Sequence, residues 1–403
     1  MSAEVFIYDA VRTPRGKGKM GAPLSALAPQ ELVRQLIDAL RDRHGEAAIG
    51  GVERLLLSCV GQTGDQGGHI AMVSKLHAEL DDDTIALTIN NFCSGGLSAV
   101  ALAASTVRAG DAGLMLAGGV EMMSRVPFLA DSAPYYADPA LSEHLRYVPV
   151  ALSADYLAHK FDVTREELDV ATINSHRRAK AAWDAGRYDG SVIAMRDDAG
   201  EIMLDRDETI RGAMTMESLG ALPPAFVEAG AAGIDAMIDR VKPGTGAIDH
   251  RHSIANCPPI ADGAGLVLVG TAEAGAALGL TPRARIEACV EAAGDPIDQL
   301  TSGEAAMDTL LAKTGRTLGD LDLVEYMEAF AVVPSLFYRR GDVDPEIVNV
   351  NGGHLAMGHP MGATGAILTA TLVEEMGRRD ATQGLVVTHG GSGVGTAALL
   401  TRA

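Results

Sequence analysis

Two stretches of the chain share one layout, and this repetition limits the folds that the chain can adopt. Residues 93–119 begin with a glycine-rich turn after a cysteine, continue through an alanine-rich segment and end in an apolar run closed by two glycines. Residues 362–391 repeat this order of turn, helical segment and apolar run. The repetition predicts an internal duplication, in which a two-fold related pair would bring both glycine-rich turns to one central site.

Short apolar runs alternate with helical patterns along the chain, which predicts an α/β protein with a sheet covered by helices on both faces. Strands are predicted at 5–8, 54–58, 85–89, 114–117, 284–288, 323–326 and 384–388. Helices are predicted at 28–41, 70–80, 97–107, 164–183, 304–314 and 363–376. Residues 126–149 are rich in proline and lack periodicity, so a loop excursion is predicted there.

Composition narrows the class of protein. The 403 residues are 47% hydrophobic and 21% charged, as in an ordinary globular protein, and the net charge is −20. This charge argues against nucleic acid or an anionic membrane surface as a partner, and an anionic ligand would need a local basic patch. The four cysteines are widely spaced, without a metal-binding pattern, which favours reduced thiols and a cytoplasmic location. Neither a leader peptide nor a transmembrane helix is expected.

Cys93 lies between a predicted strand and a predicted helix. The unsatisfied N–H groups and the positive dipole end of that helix would favour a thiolate, and the following glycines would let a substrate approach the sulfur closely. A nucleophile and a small buried cysteine are equally good interpretations of this segment alone.

Three further segments could carry chemistry. His359 stands between glycine and proline in a turn before a helix, where an imidazole can act as a general base, whereas His354 in the same turn is better explained as a polar turn residue. The glycines after His389 could supply backbone N–H donors for an oxyanion, among them Gly391. Glu328 follows a strand, as either a functional or a helix-capping carboxylate. The basic cluster 176–180 fits a phosphate site or a solvated helix face equally well.

Together these signals resemble the thiolase family. The motifs that carry the likeness follow one another along nearly the whole chain: RTPRG at 12–16, NFCSG at 91–95, GGVEMMS at 118–124, AAWDAGRYD at 181–189, DGA at 262–264, EAF at 328–330 and the glycine-rich stretch 349–365. Each motif is weak alone, but the ordered set is highly specific.

The resemblance implies a five-layered αβαβα fold made of two duplicated βαβαβαββ halves. The first half would span 1–270, with an inserted loop domain at about 120–250, and the second half would span 271–403. It also implies a homodimer or homotetramer.

The chemistry that the resemblance implies is thiolytic cleavage of a 3-ketoacyl-CoA, or the reverse condensation of two acyl-CoA molecules. Cys93 would carry the acyl group as a thioester, and His359 would accept the thiol proton. The N–H groups of Cys93 and Gly391 would form an oxyanion hole. Coenzyme A would be substrate and product, with neither a cofactor nor a metal, and the sequence assigns no CoA-contacting residue.

The chain departs from the family pattern at three places. His389 stands where thiolases usually place a second cysteine that moves the α-proton of the incoming acyl-CoA. Met327 stands where they place an asparagine that positions a water. Residues 222–224 and 256–258 replace segments that usually bring an arginine and a serine to CoA. We expect His354 or His389 to compensate for part of this loss.

These departures leave three functional hypotheses. The first is a thiolase-type acyltransferase that uses Cys93, His359, His389 and Gly391. The second is an acyl-enzyme former that hydrolyses or transfers the acyl group without carbon–carbon chemistry. The third is a catalytically idle subunit that binds a partner enzyme.

Overall fold

The computed structural model describes residues 3–403. Its strands are β1 (Phe6–Arg12), β2 (Gly16–Lys17), β3 (Arg54–Ser58), β4 (Ile85–Ile89), β5 (Leu114–Met122), β6 (Met195–Arg196), β7 (Ile202–Leu204), β8 (Ala261–Gly270), β9 (Ala284–Ala293), β10 (Leu323–Tyr326), β11 (Gln383–Gly390) and β12 (Val394–Thr401).

The α-helices are α1 (Pro29–His44), α2 (Glu46–Gly50), α3 (Ile70–His77), α4 (Gly95–Ala109), α5 (Pro134–Ala137), α6 (Pro139–His144), α7 (Val150–Lys160), α8 (Arg165–Asp184), α9 (Met216–Gly220), α10 (Val227–Ala229), α11 (Asp235–Val241), α12 (Ala272–Ala277), α13 (Ser302–Thr314), α14 (Val332–Arg339), α15 (His354–Met357) and α16 (Thr364–Arg379). Short 3₁₀ turns include Gln299–Thr301 and Gly391–Gly393.

One mixed sheet runs through the molecule in the strand order β10-β11-β12-β9-β1-β8-β5-β3-β4, with β2 attached to β8. The strands from β4 to β1 make one half and those from β9 to β10 make the other. The halves meet where Phe6 and Ile7 of β1 pair with Arg285 and Ala284 of β9.

The helices arrange these strands in five layers, as predicted. Helices α1 and α3 pack on the outer face of the first half, and α13 packs on the outer face of the second. Helices α4 and α16 contact strands of both halves and each other, so they form the central layer. They are the helices of the two repeated stretches, which confirms that the duplicated turns meet at the centre.

Glycines, which have no side chain, allow the two halves to come this close at the centre. A Cβ on Gly365 of α16 would lie 2.1 Å from the backbone nitrogen of Leu97 in α4, and one on Gly119 of β5 would lie 2.2 Å from the carbonyl oxygen of Gly362. Because neither approach tolerates a Cβ, the glycines seen in the sequence fix how closely the two halves come together.

Several elements differ from the sequence prediction. Strand β8 was not predicted, although it is a fully buried central strand between β1 and β5. Strand β5 continues through the glycine pair that was expected to end it. The segment 126–149 contains the short helices α5 and α6, and residues 394–401, where no strand was predicted, form β12.

Helix α8 begins as predicted, with Thr164 and Glu167 forming a reciprocal cap at its N-terminus. Two members of the basic cluster 176–180 on this helix have structural partners. His176 is buried and accepts the backbone N–H of Arg211, and Arg178 donates to the carbonyl oxygens of residues 345 and 348.

The segment Phe92–Ala109 has the length of a membrane-spanning helix and a mean hydropathy of 1.2. It includes α4 of the central layer, and 61% of it is buried within the fold. Its apolar character is therefore that of a core helix.

Candidate active site

Cys93 lies in the turn between β4 and α4, as the sequence predicts. The preceding residue, Phe92, has a φ of 46°, in the left-handed region that a side chain rarely adopts. The Phe92 carbonyl accepts the N–H of Gly95, and its own N–H donates to the side chain of Asn90. This strained turn holds Cys93, which is half-buried, at the start of the central helix.

Burial, a nearby carboxylate and two backbone N–H groups shift the pKa of the Cys93 thiol in opposite directions. Its pKa is raised to about 12, first by burial and then by the buried carboxylate of Glu121, while the backbone N–H groups of Gly391 and of Cys93 itself act against the rise. The backbone N–H groups act on the thiol in the direction that the sequence predicts, but burial and Glu121 outweigh them, so the resting thiol is neutral. The two N–H groups that face the sulfur come from the residues predicted to form an oxyanion hole.

The Glu121 carboxylate connects the two halves of the protein through hydrogen bonds. Its carboxylate accepts the backbone N–H groups of Val60, Gly61 and Gly362 and the side-chain amide of Gln66, at 2.7–3.1 Å. It is fully buried, and burial raises its pKa in spite of these donors. Sequence reasoning assigned it no role beyond the 118–124 motif.

His359 is held by two contacts. Its backbone N–H donates to the carbonyl of Pro259 at 2.9 Å, and its ring Nδ1 lies 2.8 Å from the hydroxyl of Thr364. Burial, and then the positive charge of Arg15, lower the pKa of the imidazole to about 3. The ring is therefore neutral near pH 7, as a general base must be.

His354 was expected to be a polar turn residue, and this prediction is wrong. Its side chain is fully buried in α15, and its ring meets that of His359 edge to face, with centroids 5.4 Å apart. Neither ring nitrogen has a hydrogen-bond partner among residues 3–403. Burial lowers its pKa well below the ordinary value, and Arg15 contributes to the shift.

Arg15 is a buried cation whose charge acts on both imidazoles. It is 1% exposed, and its guanidinium donates to the Gly358 carbonyl at 3.2 Å and contacts the Met357 sulfur at 3.2 Å. It shares Asp207 with Arg12, so two buried guanidiniums face one carboxylate. The sequence signal for this cluster was the RTPRG motif, which resemblance alone could not connect to the histidines.

His389 lies at the end of β11 with its ring on the side of α13. Its Nδ1 accepts the N–H of Gly303 at 3.1 Å, and the ring lies edge-on to Tyr326, with centroids 5.0 Å apart. Because Nδ1 accepts, the proton of the neutral ring is on Nε2, which has no partner in the described chain. Burial lowers the pKa of His389 to about 3. Within residues 3–403, no hydrogen bond joins His389 to Cys93 or His359.

Met327, the second departure from the family pattern, is buried beside His389. It is 1% exposed, and its sulfur accepts the backbone N–H of His389 at 3.4 Å. A thioether is a weak acceptor and has no donor, so Met327 cannot reproduce the two-sided hydrogen bonding of an asparagine.

The other candidate residues have structural partners. Glu328 accepts from Ser175, Asn349 and the N–H of Leu355, and so anchors the start of α15. Asp262 accepts the backbone N–H of Ser124 at 2.9 Å. In the part of the chain that is described, no group of three or more His, Cys, Asp or Glu residues could hold a metal ion.

Comparison with known proteins places this geometry in a family. The model of the thiolase N-terminal domain matches residues 5–236, and that of the thiolase C-terminal domain matches residues 280–402. The chain belongs to the thiolase family. It is an enzyme of the thiolase acyltransferase class.

Named thiolases match over the full length. The chain is 33% identical to a 3-ketoacyl-CoA thiolase of Cronobacter sakazakii and 34% identical to an acetyl-CoA acetyltransferase of Paracoccus denitrificans, with 99% of each chain covered in both cases. The crystal structure of human mitochondrial 3-ketoacyl-CoA thiolase superposes with a TM-score of 0.85 at 29% identity, covering 100% of this chain and 99% of that one.

Proposed function

We propose that this thiolase transfers acyl groups between coenzyme A and carbon through a Cys93 acyl-enzyme, cleaving a 3-ketoacyl-CoA or condensing two acyl-CoA molecules. The observation that carries the proposal is the pair of backbone N–H groups, from Cys93 and Gly391, directed at the Cys93 sulfur at the start of the central helix. When the sulfur attacks a thioester or ketone carbonyl, the negative charge develops on the carbonyl oxygen next to the sulfur, where the same two donors would stabilise it.

In this mechanism the resting thiol and imidazole are both neutral. His359 takes the proton from Cys93 as the sulfur attacks the carbonyl carbon, and Thr364 holds the ring in place. In the cleavage direction the carbon–carbon bond breaks, the acyl group stays on Cys93 as a thioester, and the electron pair remains on the departing α-carbon, which must then receive a proton. Coenzyme A thiol finally takes the acyl group and restores the Cys93 thiol.

We propose His389 as the residue that moves the proton at the α-carbon. Its neutral ring carries a proton on Nε2 that no described group accepts, which supports this role. Its full burial against α13 and Tyr326 instead favours the second hypothesis, acyl hydrolysis or transfer without carbon–carbon chemistry. The idle-subunit hypothesis predicts that Cys93 takes up no acyl group at all.

Mass spectrometry after treatment with acetyl-CoA, combined with thiolysis of acetoacetyl-CoA, separates these three functions. An acetyl adduct on Cys93 with thiolysis turnover supports the proposal. An adduct that only decays supports hydrolysis or transfer, and absence of an adduct supports the idle subunit. The variants His389→Ala and His389→Cys test the second proton-transfer role, because unchanged thiolysis in both would exclude it.

The remaining proposals concern the ligands, the location, the oligomeric state and the division into domains. Acyl-CoA and CoA are the proposed ligands, without a resident cofactor or metal, in a cytoplasmic homodimer or homotetramer. Support for assembly comes from the edge strand β4, whose Ile85 and Leu87 are 48% and 41% exposed. A division into halves at 270/271, with an inserted domain at about 120–250, fits the end of β8 at Gly270, and limited proteolysis would test it.

A further inference from the structure

The turn Gly391–Gly393 is anchored at each of its three residues. The Gly391 N–H faces the Cys93 sulfur, the Ser392 N–H donates to Gln299 Oε1 at 2.7 Å, and the Gly393 carbonyl accepts the N–H of Gly294 at 2.7 Å. Ser392 has a φ of 61°, in the left-handed region that a serine rarely adopts. A residue in that conformation persists only where its surroundings hold it.

Ser392 is held by the proline-rich segment 126–149, both directly and through Gln299. The Tyr135 hydroxyl is hydrogen-bonded to the Ser392 hydroxyl. Gln299, which is 1% exposed, donates its side-chain amide to the Val148 carbonyl at 2.8 Å while its oxygen accepts the Ser392 N–H. The segment therefore reaches the turn by two routes, one directly from Tyr135 and one from Val148 through Gln299.

Neighbouring aromatic rings of the segment pack against Tyr135, the residue that contacts Ser392. The ring of Tyr135 packs edge-on against Tyr147, with centroids 5.0 Å apart, and against Tyr136, at 6.1 Å. A tyrosine held by two neighbouring rings presents its hydroxyl in one direction at little further entropic cost.

We propose that Tyr135 and Gln299 are positioning residues that hold the Gly391 N–H on the Cys93 sulfur, so that segment 126–149 sets the strength of the oxyanion hole. This inference rests on the proposed acyl-enzyme function.

The test uses Tyr135→Phe and Ser392→Ala, with Tyr136→Phe as a matched control. Tyr136 belongs to the same aromatic cluster, but its hydroxyl bonds Asp131 and does not touch the turn. Three quantities are compared: amide hydrogen exchange in the peptide 389–395, the rate of Cys93 acetylation by acetyl-CoA, and the carbonyl stretching frequency of acetyl-Cys93.

Tyr135→Phe should speed exchange in this peptide, raise the carbonyl frequency and slow acetylation about tenfold, less than the 10²–10³-fold that loss of a whole oxyanion donor costs. Tyr136→Phe should change none of these. Tyr135→Phe combined with Ser392→Ala should be no slower than the single variants, because both remove the same bond.

Equal exchange in Tyr135→Phe and the control overturns the inference. Faster exchange with an unchanged rate and carbonyl frequency also overturns it, since the contact would then be only structural. Absence of acetylation in the wild-type enzyme is the failure of the proposed function instead, and in that case the exchange comparison alone decides whether Tyr135 holds the turn.

Discussion

The imidazoles of His354 and His359 meet edge to face, with ring centroids 5.4 Å apart, and the charge of the buried Arg15 acts on both. Both rings are neutral near pH 7 because burial, and then the charge of Arg15, disfavours their protonated forms. The proposed base therefore has a second uncharged imidazole beside it, with two ring nitrogens that lack partners in the described chain.

Replacement of His354 by leucine should change the pH dependence of stability. The folded-state pKa of His354 is depressed, so below about pH 6.5 the unfolded chain binds a proton that the native chain does not, and wild-type stability falls as the pH falls. His354→Leu removes this loss, and its free energy of unfolding relative to wild type should rise by about 1.4 kcal/mol per pH unit below pH 6. Denaturant unfolding at several pH values measures it, and a constant difference between pH 7.5 and 5 would contradict it.

Replacement of Arg15 should move the acid limit of activity. Arg15→Met removes a positive charge that lowers the pKa of His359, so the base becomes protonated at a higher pH. The acid limb of the Cys93 acylation rate should shift upward by about one pH unit, whereas Arg15→Lys, which keeps the charge, should shift it less. A pH–rate profile checks this. Identical limbs in both variants would show that the charge of Arg15 does not act on the base.

Gly303→Ala should displace the His389 ring. Its Cβ would lie 2.6 Å from His389 Nδ1 and 2.6 Å from the Thr388 carbonyl oxygen. We expect a loss of about 1–3 kcal/mol of stability by overpacking, which His389→Ala in the same chain should partly restore. Gly377→Ala, in helix α16 with open space at its Cβ position, is the control and should be neutral or stabilising. Equal thermal stability of the two single variants would refute the packing argument.

Glu121→Gln should destabilise the fold and activate the thiol. The amide cannot accept all four of the donors that face the carboxylate, so we expect a loss of about 2–5 kcal/mol. Loss of the negative charge should lower the pKa of Cys93 and speed its alkylation by iodoacetamide at pH 8. Slower alkylation in a folded variant would reverse the sign of this electrostatic argument.

Local pattern predicted the elements whose own residues carry a clear signal, either a short apolar run or a helix cap. Strands β3, β4 and β10 begin and end at the predicted residues, and the cap of α8 forms at Thr164. Strand β8 escaped prediction although it is ten residues long, because it is buried on both faces and begins with small residues. It therefore shows no alternation, and its apolar run at 266–269 is short. The ordered motifs supplied the family, which single elements could not.

The sequence by itself determined the class of fold, the repeated turn–helix–strand units and the placement of Cys93 at the start of a central helix. Each of these follows from local periodicity, glycine placement or motif order. Tertiary structure alone decided the charge state of the site, because burial and the distant residues Glu121 and Arg15 set whether the thiol and the imidazoles are neutral. It also brought His354 against His359 and Tyr135 against Ser392, since contacts between residues far apart in the chain depend on how the layers pack.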